Sequence, residues 1–292
     1  MHLETLKVFC DVVETRSFST AASQNFVTQS AVSQQIRMLE QRYGRRLLER
    51  TRGSVQLTPA GELLYQASKE IVHLHQDLEA RLQALAHVVA GTVRVATVHS
   101  IGLYGLGGAI RRYLKAYPQV NLHLEYGRSN KIYEDALKGS IDLGIVAYPA
   151  RRPRLTILPI RDDRLVLVCP ASHPLARLRR VAIARLAGEP LVGYERDIPT
   201  RKETDRILRR YGCEPRYVME LDNVETIKRV IEIGRGVAIL PEPAVRPEVR
   251  ARTLAVVQLT DEVLTRPLGI IHRQGKHFSP AAEKFIEFLR AE

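Results

Sequence analysis

The chain has no apolar run long enough to cross a bilayer, because charged residues interrupt its hydrophobic stretches throughout. Its first residues lack the charged, apolar and small-residue order of a secretion signal, so the expected location is the cytoplasm, with no membrane partner. Cysteine is scarce: Cys10, Cys169 and Cys213 are odd in number and far apart, which fits neither a disulfide framework nor zinc-ligand spacing. Buried free thiols are expected instead. His73 and His75 stand two apart on a helical stretch and would not face one another, so no metal site is expected. No Ser-His-Asp arrangement, carboxylate pair or phosphate-binding loop is present, and neither an enzyme nor a cofactor is expected. Gly105-Leu106-Gly107-Gly108 has some likeness to a dinucleotide-binding turn, but Ile110 stands where the next small residue is required. Acidic residues are the minority. The 32 Asp and Glu against 44 Lys and Arg leave a net charge of +12, which suits a polyanionic partner.

What is present begins with a core-facing helix, marked by Leu3, Leu6, Phe9, Val12 and Val13. Two further helices follow, over Ser17 to Ala22 and Val27 to Arg37, joined by a tight turn. Thr28, Gln29, Ser30, Ser33, Gln34 and Arg37 fall within about three helical turns and carry side chains able to bond base edges and phosphates in a major groove. Ala31, Val32, Ile36 and Leu39 supply the buried stripe opposite. A polar helix face alone is commonplace, and its position is what distinguishes this one. Leu48 to Leu57 reads as two short strands around Arg52-Gly53-Ser54, a wing that would set Arg50 and Arg52 beside the helix. From Thr28 to Thr58 six Arg (37, 42, 45, 46, 50, 52) oppose two Glu (40, 49), a net +4 of the sign that phosphate contact needs.

The Phe18 to Ala22 run, Thr28-Gln29-Ser30-Ala31-Val32-Ser33, Ile36, Leu39-Glu40, Gly44, Leu47, Arg50-Thr51 and Leu57-Thr58-Pro59-Ala60-Gly61 together resemble the LysR-type transcriptional regulators. One departure stands at the end of the second helix, where the family usually has Leu and this chain has Asn25 and Phe26. Phe26 is expected to serve as the substitute core contact. The resemblance implies a sequence-specific regulator with a double-stranded DNA operator, a small-molecule effector, and homodimers that assemble into homotetramers. RNA polymerase is a further candidate partner.

From Pro59 to about Ala90 the pattern is one long helix. Leu64, Ile71, Leu78 and Leu85 repeat every seven residues, Ala67, Leu74 and Val88 lie three further on, and Arg81 breaks the series, which predicts pairing with a second copy. Beyond Gly91 strands and helices alternate. Buried strands are expected over 93–98, 120–126 and 141–148, with helices near 105–116 and 131–137, as in two successive βαβ units. A second set runs through strands near 164–169, 190–194, 216–221, 237–240 and 254–258, with helices near 183, at 199–211 and at 224–234. A last strand at 267–272 and helix at 279–289 complete it. This α/β count allows a single doubly wound sheet. The resemblance decides for two lobes of a periplasmic-binding-protein-like effector domain, crossed near 160–164 and 264–267. The expected division is 1–58 for the winged helix-turn-helix, 59–90 for the dimerising linker and 91–292 for the effector domain, with lobe I at 91–162 and 266–292 and lobe II at 163–265.

An effector should lie between the lobes, where helix N-termini converge on strand ends. The turns there carry His99, Ser100, Ser129, Asn130, Thr200, Arg201, Lys202 and Asn223, a set suited to an anion. Ser, Thr and Asn are also the ordinary N-caps. The family places effector contacts at the turns of Ser100 and Thr200. The segment Asp197 to Lys202 also resembles family members that control sulfur or carbon assimilation. Two rival readings remain open at this stage: a DNA-organising protein without effector, and a DNA-binding enzyme of the biotin-ligase-repressor kind, whose catalytic Gly/Arg/Lys loop is not found.

Overall fold

The computed structural model describes residues 2–51, 54–84 and 89–291. Helices α1 (Leu3–Thr15), α2 (Phe18–Gln24) and α3 (Gln29–Tyr43) enclose Phe9, Val12, Ala21, Val32, Ile36 and Leu39. Leu47 and Leu48 close this core from the hairpin of β1 (Leu48–Thr51) and β2 (Ser54–Leu57). The Ser17 and Thr28 hydroxyls cap the second and third helices by accepting from Thr20 N and Ala31 N, each at 3.2 Å. The Glu40 carboxylate accepts from Leu47 N at 2.9 Å and so ties the wing to α3.

The expectation for Phe26 is overturned: its side chain is 97% exposed. The Asn25 amide donates to Asp11 at 2.6 Å and to the Ala21 carbonyl at 2.9 Å, ending α2 one residue earlier. Val27 N then bonds the Ala22 carbonyl, and Phe26 sits at the crest of the turn with φ 55° and its ring outside the core.

The long helix α4 runs Pro59–Ala84. Thr58 caps it by accepting from Gly61 N at 3.0 Å, and Pro59 occupies the first turn, where a missing N–H costs little. A Cβ on Gly61 would come within 2.0 Å of the Leu47 carbonyl oxygen, so only glycine lets the helix start against the wing. Tyr65 and Val72 pack on the helix-turn-helix core, while Glu14 of α1 accepts from Tyr65 Oη at 2.9 Å and pairs with Lys69 Nζ at 3.0 Å. The apolar seam differs from the predicted heptad at its start. Leu64 packs into the winged-helix core, and the exposed stripe is Leu63, Ala67, Ile71, Leu74, Leu78 and Leu82. Leu85 and Val88 lie outside the described residues, as does the side chain of Arg81.

Next comes a mixed sheet. Strands β3 (Gly91–Thr97), β4 (Val120–Tyr126) and β5 (Leu143–Ala147) are parallel in the order β4-β3-β5. Their connections are α5 (His99–Tyr104), α6 (Gly107–Ala116) and α7 (Ser129–Lys138). The buried strand predicted over 120–126 is an edge strand, open on one face. Strands β6 (Leu155–Pro170) and β12 (Thr265–Arg273) pair antiparallel over the full length of β12, with a bulge at Leu268/Gly269, and run as a two-stranded ribbon from one half into the other. The strand predicted over 164–169 therefore begins nine residues earlier, at Leu155.

The second half is built on the far end of β6, which pairs with β10 (Ala238–Pro241) and β11 (Leu254–Leu259). It also holds the short β7 (Arg180–Val181), the parallel pair β8 (Pro190–Tyr194) and β9 (Arg216–Leu221), and helices α8 (Pro199–Arg210), α9 (Val224–Glu232) and α10 (Glu242–Ala251). Helix α11 (Pro280–Arg290) returns to the first half, where Phe285 and Leu289 join Val93, Val95, Tyr113 and Leu143 in its core. Each half has its own core, and β6 with β12 forms the crossing. No described helix is long and apolar enough to cross a membrane.

Candidate functional site

On α3 the polar side chains named from the sequence stand together. Thr28, Gln29, Ser30, Gln34 and Arg37 are exposed and Ser33 is half-buried, whereas Val32, Ile36 and Leu39 face inward. Thr28 Oγ1 serves the helix cap and lies 2.9 Å from Ser30 Oγ. Arg37, Arg42, Arg45 and Arg46 are exposed. Arg52 and the side chain of Arg50 lie outside the described residues.

The second site is a cleft of about 90 Å³ at the junction of the two lobes. The helices α7, α8 and α9 start at its walls, presenting Ser129, Thr200 and Val224. At α7 and α8 no side chain caps the first-turn amides, which leaves partial positive charge directed at the cleft. At α9 the Asn223 side chain is used internally. Its Oδ1 accepts from Thr226 N at 3.0 Å and its Nδ2 donates to Asp222 at 2.7 Å. Gly102 lets α5 approach the sheet: a Cβ there would lie 2.4 Å from the Tyr126 ring, and this closeness sets His99 and Ser100 at the cleft wall, with His99 stacked on Tyr126 at 5.3 Å.

Of the effector residues expected from the sequence, His99, Ser100, Ser129, Asn130, Thr200 and Asn223 line the cleft. Asn130 Oδ1 also accepts from Arg152 Nη2 at 3.3 Å. Arg201 and Lys202 do not line it. Arg201 turns into lobe II, donating to Asp205 at 2.9 Å, to the Tyr194 carbonyl at 2.6 Å and to Glu220 at 3.2 Å, and stacks over the Tyr217 ring. Helical geometry explains the reversal, since adjacent residues on α8 point about 100° apart and Thr200 takes the cleft-facing position. Lys202 is exposed.

Sequence reasoning missed two lining residues of note, Arg266 and Tyr194, and did not pick out Arg128 within the turn before Ser129. Arg266 is on β12 directly opposite Asp163 of β6, and is 1% exposed. Its Nη2 donates to Asp163 at 2.6 Å and its Nη1 to Ser100 Oγ at 2.9 Å, while its Nε has no hydrogen-bond partner. A charged residue beside Pro267, in a crossing otherwise read as connection, was the available signal. Tyr194 ends β8, and its buried hydroxyl also has no partner. Burial pushes that phenol up to about 12. Arg128 spans the cleft mouth from the first lobe, reaching Glu195 at 2.6 Å and Asp197 at 3.6 Å.

A further tie joins the lobes behind the cleft. Lys228 Nζ, itself buried, donates to Tyr104 Oη at 2.6 Å and to Glu248 at 2.8 Å, while Tyr104 donates to Glu225 at 2.6 Å. Burial alone would lower the Lys228 ammonium, but its bonds to Glu248, Tyr104 and Glu225 outweigh it and the net shift is upward. Cys10, Cys169 and Cys213 are free and buried, and burial raises all three thiols, to about 12 for Cys10 and about 11 for Cys169.

A basic helix-turn-helix joined by one long helix to a two-lobed domain with a central cleft defines a transcription regulator controlled by a small molecule. The chain belongs to the LysR-type transcriptional regulators. The family described as "Bacterial regulatory helix-turn-helix protein, lysR family" matches residues 3–62, and "LysR substrate binding domain" matches residues 86–292. The chain is 28% identical over 291 residues to the HTH-type transcriptional regulator CysL of Bacillus subtilis (strain 168), covering 100% of this chain and 97% of that protein. It is 29% identical over 290 residues to the RuBisCO operon transcriptional regulator of Allochromatium vinosum, covering 99% and 96%. Among solved structures, full-length CbnR in complex with its target DNA superposes with a TM-score of 0.74 at 23% identity, covering 100% of this chain and 99% of that one.

Proposed function

We propose that residues 1–58 read an operator, that residues 59–90 pair two copies, and that residues 91–292 bind a small anionic effector between lobe I (91–162 and 266–292) and lobe II (163–265). Gln29, Ser33 and Arg37 reach base edges with Thr28, Ser30 and Gln34 beside them, and Arg50 and Arg52 meet phosphates. His99, Ser100, Ser129, Asn130 and Thr200 contact the effector, and Asn223 shapes the wall through its cap. The protein acts in the cytoplasm by binding, without catalysis, as a dimer assembling to a tetramer that RNA polymerase reads. The observation that carries this proposal is the pairing, within one chain, of an exposed polar α3 face and a cleft whose lobes are tied at mouth and rear.

A ligand that binds the closed lobes better than the open ones shifts the lobe equilibrium by that difference in affinity. Replacing Gln29 and Ser33 together by Ala should relax operator preference, each good bidentate base contact being worth about 1 to 3 kcal/mol, while Arg52→Ala should weaken all sequences similarly. Footprints and specificity ratios of the double variant that matched the parent protein would refute this placement of α3.

A further inference from the structure

We infer that the cleft holds a compact inorganic oxyanion, gripped by Arg266 from the crossing and Tyr194 from lobe II; the inference rests on the inter-lobe effector reading above. Two buried polar atoms, Arg266 Nε and Tyr194 Oη, have no hydrogen-bond partner, and both residues line the same cleft. A buried donor left unpaired costs more than a bonded one gains, so two at one cavity mark the place of a missing acceptor. An oxyanion offers several acceptor oxygens, and both orphans can donate.

Asp163 pairs with Arg266 at 2.6 Å, so the guanidinium is held in place at the cleft wall with its Nε–H left to donate. Ser100 Oγ accepts from Arg266 and keeps its own proton to donate, and the uncapped amides at the starts of α7 and α8 supply further positive character.

The size and the mouth limit the ligand. A cavity of about 90 Å³ is well below the roughly 300 to 1,000 Å³ of ordinary organic-ligand pockets. An anion long enough to reach the mouth would meet Asp197, and like charges repel. A compact oxyanion keeps its charge at the floor and leaves the Arg128 clasp to Glu195 and Asp197 intact.

The test is calorimetric titration of the full-length protein with potassium sulfate, phosphate and nitrate at fixed ionic strength, to about 10 mM, beside citrate and 3-phosphoglycerate as larger anions. At least one compact anion should bind saturably, one per chain. Tyr194→Phe should weaken it about tenfold without lowering the melting temperature of the ligand-free protein, because that hydroxyl has no partner to lose. Arg266→Gln should abolish binding. The Tyr194→Phe readout stands even where Arg266→Gln fails to fold. No saturable compact-anion binding, or wild-type affinity in Tyr194→Phe, overturns the inference. If a larger anion binds instead and Thr200→Ala weakens it, the inter-lobe reading stands and only the compact-anion inference falls. If an anion binds and Tyr194→Phe, Arg266→Gln and Thr200→Ala all leave its affinity unchanged, both fall.

Discussion

Phe26 shows how far a single side chain can depart from what its sequence position suggests. It is a large ring with positive φ and almost no packing, and the left-handed region is costly for a residue with a Cβ. Asparagine tolerates that conformation, so Phe26→Asn should stabilise the winged helix by about 0.5 to 1 kcal/mol in urea unfolding. A loss of stability would mean that the ring has a packing role the fold does not reveal. Arg201 and Arg266 make the complementary point. The first lies in a motif-like turn yet spends its donors on Asp205, Glu220 and a carbonyl; the second lies in a crossing strand yet faces the cleft. Sequence showed both as cations and neither's direction, because direction depends on a partner as remote as Asp163.

At the scale of elements, α4 carries the sharpest prediction. Leu74 and Leu78 belong to an apolar stripe that the described residues leave exposed, Leu74 being 72% exposed. Seating these side chains against a second α4 would remove apolar area from water at about 25 cal/mol per Å². Leu78→Glu would put an unpaired charge into that seam and should dissociate the dimer in sedimentation, with operator affinity falling as two half-sites cease to be engaged together. An intact dimer would show that pairing lies elsewhere. The helix-turn-helix, the wing and this helix were legible because their signals are local: caps, periodicity, and glycine where backbones meet. Other parts escaped. Helix α10 was missed because Pro243 and Pro247 both fall inside it, and the six-residue α5 is too short to show a period. The start of β6 was missed because Pro159 and the charges after Ile160 look like loop; Pro159 is tolerated beside the bulge, where the ladder is already irregular. In the cleft, turn residues at helix starts were legible and the floor was not.

At the scale of the whole molecule, α4 is fastened to lobe I as well as to α1. Glu70 pairs with Arg273 at 3.4 Å, Gln76 accepts from Arg94, and Asp142 holds both Arg94 N at 2.8 Å and Lys276 Nζ at 2.7 Å. Between them, burial and the neighbouring Arg94 lower His73 from its ordinary 6.5 to about 4, with Asp142 and a Gly139 backbone bond opposing. The unfolded chain therefore takes up a proton at His73 in a window where the folded protein does not, and stability falls as pH drops from about 6.5 to about 4. The total is on the order of 3 kcal/mol. His73→Gln should flatten urea-derived stability across that window, leaving only the smaller slope from groups such as His272, which burial shifts the same way. An unchanged slope would remove His73 from the account. The length of α4 has a mechanical consequence. Its 26 residues make a lever arm of about 39 Å, so a turn of about 10° at one end sweeps the other by about 7 Å, roughly two base-pair steps along a duplex.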